Sequence, residues 1–581
     1  MRITGENRVP PYGALLFLGS FALYLVTLAP GVTFWDSGEL IAASYALGIP
    51  HQPGYPLYCL IGKASSFVPF GAVAYRYNLL SALLSALAVY VVYLALAEII
   101  TRCEPSPPGP LPAPTLPSPA GGEGKRKGPH VGEGREHMSL AAVFAAALAP
   151  VRIFWSQAVV AEVYAANALI IASLVLAYAR ALSGSLSPRR YFALSGLLFG
   201  LGVISHASLV LYLPALVLGW ALLPHPQGSR LKSALVGMFF IGLGLSVYLY
   251  LPVRAAALPA VNLGHPDTLA RFVSVVKWGQ YLRSEIFFLK AAGGLGLAAG
   301  LGWKAWAGTA AALAFAAWLI RRNPRLFLPL FAFAAFYGAA VHLQMRDPGS
   351  AARFGLGGKF YMPLVVVFII SAGFAAADLM RSLGNKAARV LLIGLIALIP
   401  PLLVWSNYRA SDQSRHYFAQ DYARNSLNSA GERGVLFTWG DNGVFPLWYV
   451  REAERYRDDV TLIHTPLMTY DWYLDDVRRM LGARIKFMEP WYLGENAYRV
   501  FKAVTPGRPV AYDFTTVKRL KLKPEELTAR GLVWFEGPTP KGNPWPIYVM
   551  RGEGDSSIHL GPMERNIMAI YDYQRQATGK Q

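Results

Sequence analysis

The segment Phe34-Trp35-Asp36-Ser37-Gly38-Glu39-Leu40 directly follows the first long apolar run of the chain, and His51-Gln52-Pro53-Gly54-Tyr55-Pro56 comes soon after it. If the first segment is helical, the i, i+3 spacing of Asp36 and Glu39 places both carboxylates on one face. Acids are costly to bury beside a bilayer, which makes the pair a candidate functional site. The structural alternative is that Asp36 only N-caps a short helix beginning at Ser37.

The composition predicts a multipass membrane protein. Of the 581 residues, 54% are hydrophobic and 15% are charged, whereas an average soluble domain has roughly 25% charged residues. Apolar runs of about 18 residues or more recur along the chain. Lys plus Arg number 54 against 34 for Asp plus Glu, a net charge of +20. Much of that excess lies between apolar runs, which favours lipid headgroups over nucleic acid as the partner.

The basic loops predict how the chain crosses an inner or plasma membrane. Arg2 and Arg8 precede the first apolar run, from about residue 12 to 30, which predicts a cytoplasmic N-terminus and an external acid pair. That run is long enough to span and lacks a small-residue cleavage site, so we expect it to remain as the first helix. About eleven transmembrane helices satisfy the distribution of basic loops.

The chain divides into two predicted domains, a transmembrane domain over 1–406 and an extracytoplasmic α/β domain over 407–581. Within the first, the Pro/Gly-rich segment 104–137 predicts a disordered cytoplasmic loop. In the second, short β-rich runs at 434–438 and 459–463 alternate with helical patterns such as 443–457. The turn Gly440–Gly443 between a strand and a helix suits either a ligand or, as we favour, a tight turn that uses Gly and Asn.

Cysteine and histidine usage predicts neither a disulfide nor a metal site. Cys59 and Cys103 fall on opposite sides of the bilayer in this topology, so we expect no bond between them. The sequence contains no Cys/His cluster with metal-ligand spacing.

The conspicuous polar residues near helix ends share the external side in this topology. Besides Asp36 and Glu39, they are His51, Glu162, His206, Arg254, Arg353 and Lys359. A transporter would place such groups near the bilayer midplane, often on broken helices. One-sided clustering instead favours a site where a lipid-borne substrate meets a second substrate from outside.

Each of these residues also has a structural explanation. On this explanation His206 simply packs where two helices meet, and Arg254 or Lys359 extends to the headgroups. Glu162 has a possible ion-pair partner in Arg152. The hypothesis of a site therefore depends on the whole collection.

Several motifs together resemble one family. They are Thr33-Phe34-Trp35-Asp36-Ser37-Gly38-Glu39-Leu40 with His51 to Tyr58, Trp155-Ser156-Gln157 with Ala161-Glu162-Val163-Tyr164, Leu251 to Ala255, and Phe437 to Asn442. They are similar to a bacterial multipass family whose animal relative is a protein O-mannosyltransferase acting on plexin-type receptors. The resemblance covers most of residues 10–475 outside the Pro/Gly-rich insert, and departs from the family at Gln52 and at Ala207-Ser208.

This resemblance implies a mainly α-helical glycosyltransferase of the GT-C architecture. Such enzymes use a polyprenyl-phosphate-linked sugar and carry an essential acid in the first external loop, a position that matches Asp36, with Glu39 as its companion. The implied donor carries a hexose such as mannose, and the implied acceptor is a hydroxyl on protein at the outer face of the membrane. The alternatives are a lipid or envelope-glycan acceptor, or a non-catalytic protein that binds or transports the lipid-linked sugar.

The implied reaction is a single displacement with inversion at the anomeric carbon. Asp36, or else Glu39, acts as the general base, and Glu162 is the reserve base. Arg254, with Lys359 or Arg353, is the candidate to neutralise the leaving lipid phosphate.

The remaining motif residues have predicted supporting roles. His51 orients an acid or contacts the donor phosphate, and Tyr55 and His206 are further candidate substrate contacts. D-x-x-E differs from the D-x-D motif of metal-dependent glycosyltransferases. We therefore expect no metal and no cofactor besides the lipid-linked donor.

Overall fold

The protein is mainly α-helical in the computed structural model, which describes residues 12–103, 131–223, 230–277, 303–344, 356–490, 492–505 and 507–579. The helices of the first 411 residues are α1 Tyr12–Val26, α2 Ser37–Ala46, α3 Pro56–Ser65, α4 Val73–Arg102, α5 Val131–Leu148, α6 Arg152–Ala158, α7 Tyr164–Leu182, α8 Pro188–Ser205, α9 Leu213–Leu222, α10 Arg230–Leu245, α11 Tyr250–Ala256, α12 Leu269–Val276, α13 Trp303–Arg322, α14 Pro324–Gln344, α15 Met362–Ser382, α16 Lys386–Ala397 and α17 Ile399–Ser411.

Within the described ranges, six helical segments are long and apolar enough to cross a membrane, and a bent pair of helices makes a seventh candidate. The six are Val73–Arg102, Tyr164–Leu182, Arg230–Ala256, Pro324–Val341, Gly358–Ser382 and Lys386–Ser411. The bent pair, Gly134–Leu148 and Arg152–Ala158, changes direction by 68°. These spans confirm a multipass membrane protein.

The predicted number of about eleven spans is higher than these helices supply. Tyr12–Val26 and Ala207–Leu222 are apolar but fall below the length of a full span. An apolar run read from sequence does not reveal where a helix breaks, and breaks shorten several of the predicted spans. The predicted loop 104–137 was also too long, because α5 already begins at Val131. Residues 104–130 lie outside the described part of the chain.

The C-terminal region contains a small five-stranded sheet. Its strands are β1 Val435–Thr438, β2 Thr461–His464, β3 Val510–Asp513, β4 Thr528–Arg530 and β5 Val533–Phe535. The strand order is β2-β1-β3-β5-β4, with β1 parallel to β2 and β3, and β5 antiparallel to β3 and β4. Its helices are α18 Phe418–Ser429, α19 Asp441–Glu452, α20 Asp471–Leu481, α21 Leu493–Val504, α22 Phe514–Leu520 and α23 Pro562–Gly579. The two predicted β runs and the helix that follows the first are confirmed.

Helix α19 of this region packs directly on α2 of the membrane region. A Cβ atom on Gly38 would lie 2.3 Å from the Phe445 carbonyl oxygen, so only glycine permits this approach. The Asn442 Oδ1 atom accepts a hydrogen bond of 2.7 Å from the Trp35 backbone N–H. The Tyr449 hydroxyl accepts another, of 3.2 Å, from the Ala74 N–H at the start of α4. The acid-bearing loop is therefore fixed between the two regions.

Helices α8 and α10 pack at backbone contact because glycines face each other. A Cβ atom on Gly196 would lie 2.3 Å from the Gly237 carbonyl oxygen, and one on Gly200 would lie 2.5 Å from that of Ile241. Small residues commonly permit such close approach of membrane helices. The contact matters for the site, because α8 ends directly before His206 and α10 leads to Arg254.

The first prediction concerns this helix contact. Gly196→Ala should lower the free energy of unfolding by about 1–3 kcal/mol, because a methyl group inserted against a backbone carbonyl forces the helices apart. Thermal unfolding of the purified protein in detergent measures the change.

Gly242→Ala is the matched control, since a Cβ atom there meets nothing within 4 Å. It should be neutral or slightly stabilising, because alanine favours a helix over glycine. Equal unfolding temperatures for the two variants would contradict the proposed packing.

Candidate active site

Glu39 and His51 form a buried pair that holds the first loop against α2. Glu39 lies in the first turn of α2 and its side chain is fully buried. One carboxylate oxygen accepts the His51 backbone N–H at 2.7 Å, and the other lies 2.5 Å from His51 Nδ1. Both oxygens of Glu39 are therefore engaged, and the residue supports the loop's conformation.

The charge of His51 is set by this environment. Burial works to lower the pKa of His51, but the adjacent Glu39 carboxylate outweighs it and, with Asp36 and Asp441, raises the pKa to about 9. At neutral pH the imidazole is thus protonated, and its Nδ1–H donates to Glu39. Its Nε2 lies 3.0 Å from the Tyr55 hydroxyl.

Asp36 occupies the N-cap position of α2 but does not cap it. Its side chain makes no capping hydrogen bond. Instead, its Oδ2 atom accepts a 3.0 Å hydrogen bond from Lys359 Nζ, directly before α15. The capping interpretation is therefore wrong: the helix begins at Ser37 as expected, but the carboxylate is turned towards a distant cation. About a quarter of the Asp36 side chain, 24%, is exposed, whereas Glu39 is inaccessible.

Lys359 also binds a third acid. Its Nζ donates to Glu162 Oε1 at 3.3 Å, and Glu162 is 4% exposed. The second oxygen, Glu162 Oε2, is buried without a hydrogen-bond partner. Glu162 is thus paired with Lys359, and the pairing with Arg152 that we considered does not appear among the described ion pairs.

The two acids that share Lys359 differ in protonation. Burial raises the pKa of Glu162 to about 7 against the opposing effect of Lys359. Burial also acts to raise the pKa of Asp36, but Lys359 and His51 outweigh it and hold the pKa below its ordinary value. Asp36 is therefore ionised at neutral pH, while Glu162 is divided between its two forms.

Aromatic rings form one side of this acid and cation cluster. The His206 ring lies 5.1 Å from that of Tyr164 and 6.3 Å from that of Tyr55, measured between centroids. Its Nδ1 accepts the Ser208 backbone N–H at 3.3 Å. Burial, with Lys359 and His51, lowers the pKa of His206 to about 4, so the ring is neutral. His206 and Tyr55 thus both adjoin the predicted acids.

Arg254 lies at the C-terminal end of α2, at the opposite end of this helix from Asp36. Its Nε donates to the Leu47 carbonyl at 2.7 Å, and one terminal nitrogen lies 3.5 Å from the Ala46 carbonyl. These contacts stabilise the C-terminal end of α2, where a cation also complements the helix dipole. Arg254 therefore supports the helix that carries Glu39, and the described contacts do not join it to the carboxylates. Arg353 lies outside the described residues.

Two contributions from the C-terminal region were not predicted. Trp35 has a left-handed backbone, with φ of 66°, a conformation uncommon for a bulky residue, and its N–H bonds to Asn442. Asp441 is close enough for Asp36 and Glu39 to help raise its pKa to about 6, after the larger effect of burial. The sequence signals were the Gly440–Gly443 turn and the motif Phe437 to Asn442, and neither identifies its partner without the fold.

The described residues contain no group of three or more His, Cys, Asp or Glu side chains arranged to hold a metal ion.

The fold and this cluster define a multipass membrane protein with a carboxylate and cation site where its C-terminal region docks. The N-terminal domain of the protein O-mannosyl-transferase TMEM260 is the family model that matches residues 36–228, and TMEM260-associated domain 2 matches residues 419–484. These matches include Asp36, Glu162 and Asp441. They confirm the resemblance to this family that the motifs indicated.

Two curated relatives carry the same family name. Protein O-mannosyl-transferase TMEM260 of Mus musculus is 26% identical over 496 residues, which cover 80% of this chain and 64% of the mouse protein. The Dictyostelium discoideum protein is 24% identical over 532 residues, covering 81% of this chain and 59% of its own. The chain thus spans less than two-thirds of the length of either relative.

Solved structures similar to this chain include ArnT from Cupriavidus metallidurans. The apo structure has a TM-score of 0.48 at 12% identity, covering 90% of this chain and 99% of ArnT. The structure of ArnT bound to undecaprenyl phosphate has a TM-score of 0.46 at 12% identity, and the match covers 83% of this chain and 97% of ArnT.

The second prediction concerns the Glu39–His51 pair. Because the pKa of His51 is raised from 6.5 to about 9, its contribution to stability is fully present below pH 6.5 and is lost as pH rises through 9. That contribution is on the order of 3 kcal/mol. His51→Gln should therefore lower the unfolding temperature strongly at pH 6 and little at pH 10.

His559→Gln is the control, because His559 is exposed and its pKa is lowered by partial burial and nearby arginines. The effect of His559→Gln on the unfolding temperature should not change between pH 7 and pH 10. A constant effect of His51→Gln over the whole range would mean that His51 is not charged in the folded protein.

Proposed function

We propose that the protein transfers a hexose, such as mannose, from a polyprenyl-phosphate donor to an acceptor hydroxyl on protein. The observation that carries the proposal is the ionised, partly exposed Asp36 carboxylate held by Lys359 at the docking site of the C-terminal region. The family of the relatives, named protein O-mannosyl-transferases, supports the reaction class. The basic loops support a site at the outer face, with the N-terminus in the cytoplasm.

The proposed chemistry is a single displacement that inverts the anomeric carbon. The acceptor oxygen attacks that carbon while its proton passes to an Asp36 oxygen. The bond between the anomeric carbon and the phosphate oxygen breaks, and its electron pair leaves with the lipid phosphate. Asp36 Oδ2 is held by Lys359, whereas Oδ1 accepts none of the described hydrogen bonds.

Burial supports Asp36 over Glu39 as the base. The Glu39 side chain is fully buried and both of its oxygens contact His51, so an acceptor hydroxyl has no access to it. Glu162 is nearly as buried, and a pKa raised to about 7 leaves it partly protonated. We therefore assign Glu39 to loop support and keep Glu162 as the reserve base.

Two cations adjoin Asp36 and can stabilise the leaving phosphate. Lys359 contacts Asp36 directly, and protonated His51 lies near enough to lower its pKa. A cation placed where negative charge develops lowers the barrier most effectively in a site with little water. Arg254 is occupied with backbone carbonyls, so we assign it to support of α2.

The third prediction tests the base. Asp36→Asn should lower the turnover number by about 10²–10⁴-fold, since the amide cannot accept the proton, while binding of the lipid-linked donor is retained. Turnover is measured by mass spectrometry of the hexose on the acceptor, with purified protein in lipid nanodiscs.

Glu39→Gln is the comparison. It should lower the unfolding temperature by weakening the His51 pair, and reduce turnover less than Asp36→Asn does. If both variants transfer at the rate of the unaltered protein, the mechanism is wrong.

The acceptor is tested separately. Mass spectrometry of envelope proteins, lipids and glycans from a deletion strain should reveal a hexose missing from protein. Loss from a lipid or glycan would instead assign the same chemistry to that acceptor. Donor binding without any product from the unaltered protein would favour a non-catalytic binding or transport role.

A further inference from the structure

The segment Gly440–Gly443 places a fourth acid beside the proposed base. It follows β1, and Gly440 has φ of 80° and ψ of 159°, so that α19 begins at Asp441. The favoured interpretation, a tight turn that uses both Gly and Asn, holds only for Gly440, because Asn442 and Gly443 already lie in α19. The segment also contacts the membrane region, because Asn442, the residue after Asp441, bonds to Trp35.

Two contacts fix the position of this segment relative to Asp36. The Asn442 side chain accepts the N–H of Trp35, the residue directly before Asp36. One turn further along α19, the Phe445 carbonyl touches Gly38. Asn442 and Phe445, which follow Asp441 along α19, therefore hold the backbone of Asp441 near the start of α2.

Asp441 differs from the other acids of the site in having no cation of its own. Among the described ion pairs, Lys359 binds Asp36 and Glu162, and His51 binds Glu39. Asp441 takes part in none of them, and its side chain is exposed. Although part of its surface reaches solvent, burial against the surrounding elements, followed by the negative charges of Asp36 and Glu39, raises its pKa to about 6, which still leaves it mostly ionised at pH 7.

An exposed carboxylate without a cation, beside a reacting centre, suits a neutral ligand with several hydroxyl groups. Hydroxyl donors form short, charge-assisted hydrogen bonds to a carboxylate. A second observation points the same way: Glu162 Oε2, on the acid that shares Lys359 with Asp36, is buried without a partner. The cluster thus contains hydrogen-bond acceptors that its own donors do not satisfy.

We infer that Asp441 binds hydroxyl groups of the hexose carried by the lipid-linked donor, so that the C-terminal region completes the donor site. The inference rests on the proposed function for the identity of the donor. It assigns substrate binding to a residue of the second region and makes docking of α19 on α2 a requirement for sugar recognition.

The fourth prediction compares two lipids, polyprenyl phosphate with and without its hexose. Asp441→Ala should weaken binding of the hexosyl lipid by about tenfold to a hundredfold, as expected for a lost hydrogen bond to a charged group. Binding of the sugar-free lipid should change by no more than about twofold, a difference of only ~0.4 kcal/mol. Asp441→Asn, which keeps one acceptor oxygen, should have an intermediate effect. Affinities are measured with the full chain in lipid nanodiscs.

Asp471→Ala is the matched control. Asp471 is likewise the exposed first residue of a helix, α20, in the same region, so its loss removes the same favourable interaction with the helix dipole. It should leave the binding of both lipids unchanged. Unfolding temperatures of the two alanine variants should also be similar.

Three results would overturn the inference. The first is an equal loss of binding of both lipids in Asp441→Ala, which would indicate general disruption of the site, and the second is no loss of binding of either lipid. A chelator that lowers the affinity of the unaltered protein to that of Asp441→Ala would assign Asp441 to a cation instead.

The same experiment separates this inference from the proposed function. Selective loss of hexosyl-lipid binding in Asp441→Ala, without transfer by the unaltered protein, would support sugar binding and reject the enzyme. If instead the unaltered protein transfers the hexose, and Asp441→Ala changes neither the transfer nor the binding of either lipid, the enzyme is supported and sugar binding by Asp441 is rejected.

Discussion

The ion pairs of Lys359 with Asp36 and Glu162 are the interaction on which the site depends. The three residues precede different helices, α15, α2 and α7, so the ammonium group joins three parts of the membrane region at one point. Without a cation, the two carboxylates would repel each other, and the buried Glu162 would also lose its hydration without compensation. His51 supplies the compensating positive charge for the third acid, Glu39. Charge balance therefore determines both the local fold and which acid stays ionised.

The second constraint is the backbone contact between α2 and α19. Gly38 permits it, and the Asn442 side chain holds the unusual backbone of Trp35. This contact makes the C-terminal region part of the site and not merely an appended domain. It also explains why one short segment contains Asp36, Gly38 and Glu39. The two acids supply charge to the site, and Gly38 permits the close approach of α19.

The sequence predicted the membrane class, the sheet-containing C-terminal region and the grouping of Asp36, Glu39, His51, Glu162, His206 and Lys359. It succeeded because ionisable residues near apolar runs are rare, and the distribution of basic loops predicts that these residues share one side of the membrane. It could not predict that Lys359 pairs with an acid 323 residues away, because no local pattern encodes such a contact. For the same reason it could not predict that Arg254 contacts the carbonyls at the end of α2: a cation after a helix serves a phosphate or a carbonyl equally well in sequence. Asp441 lies in the Gly440–Gly443 turn, but the residues that surround it in the fold belong to the membrane region, and the turn itself does not identify them.

The most direct test of the account is the anomeric configuration of the transferred hexose. The purified protein is incubated in lipid nanodiscs with a polyprenyl-phosphate hexose of known configuration and an acceptor, and the product is examined by nuclear magnetic resonance. A single displacement assisted by Asp36 predicts a glycosidic bond of inverted configuration and release of the sugar-free lipid phosphate. A product of retained configuration, or a donor that is bound and recovered unchanged, would contradict it.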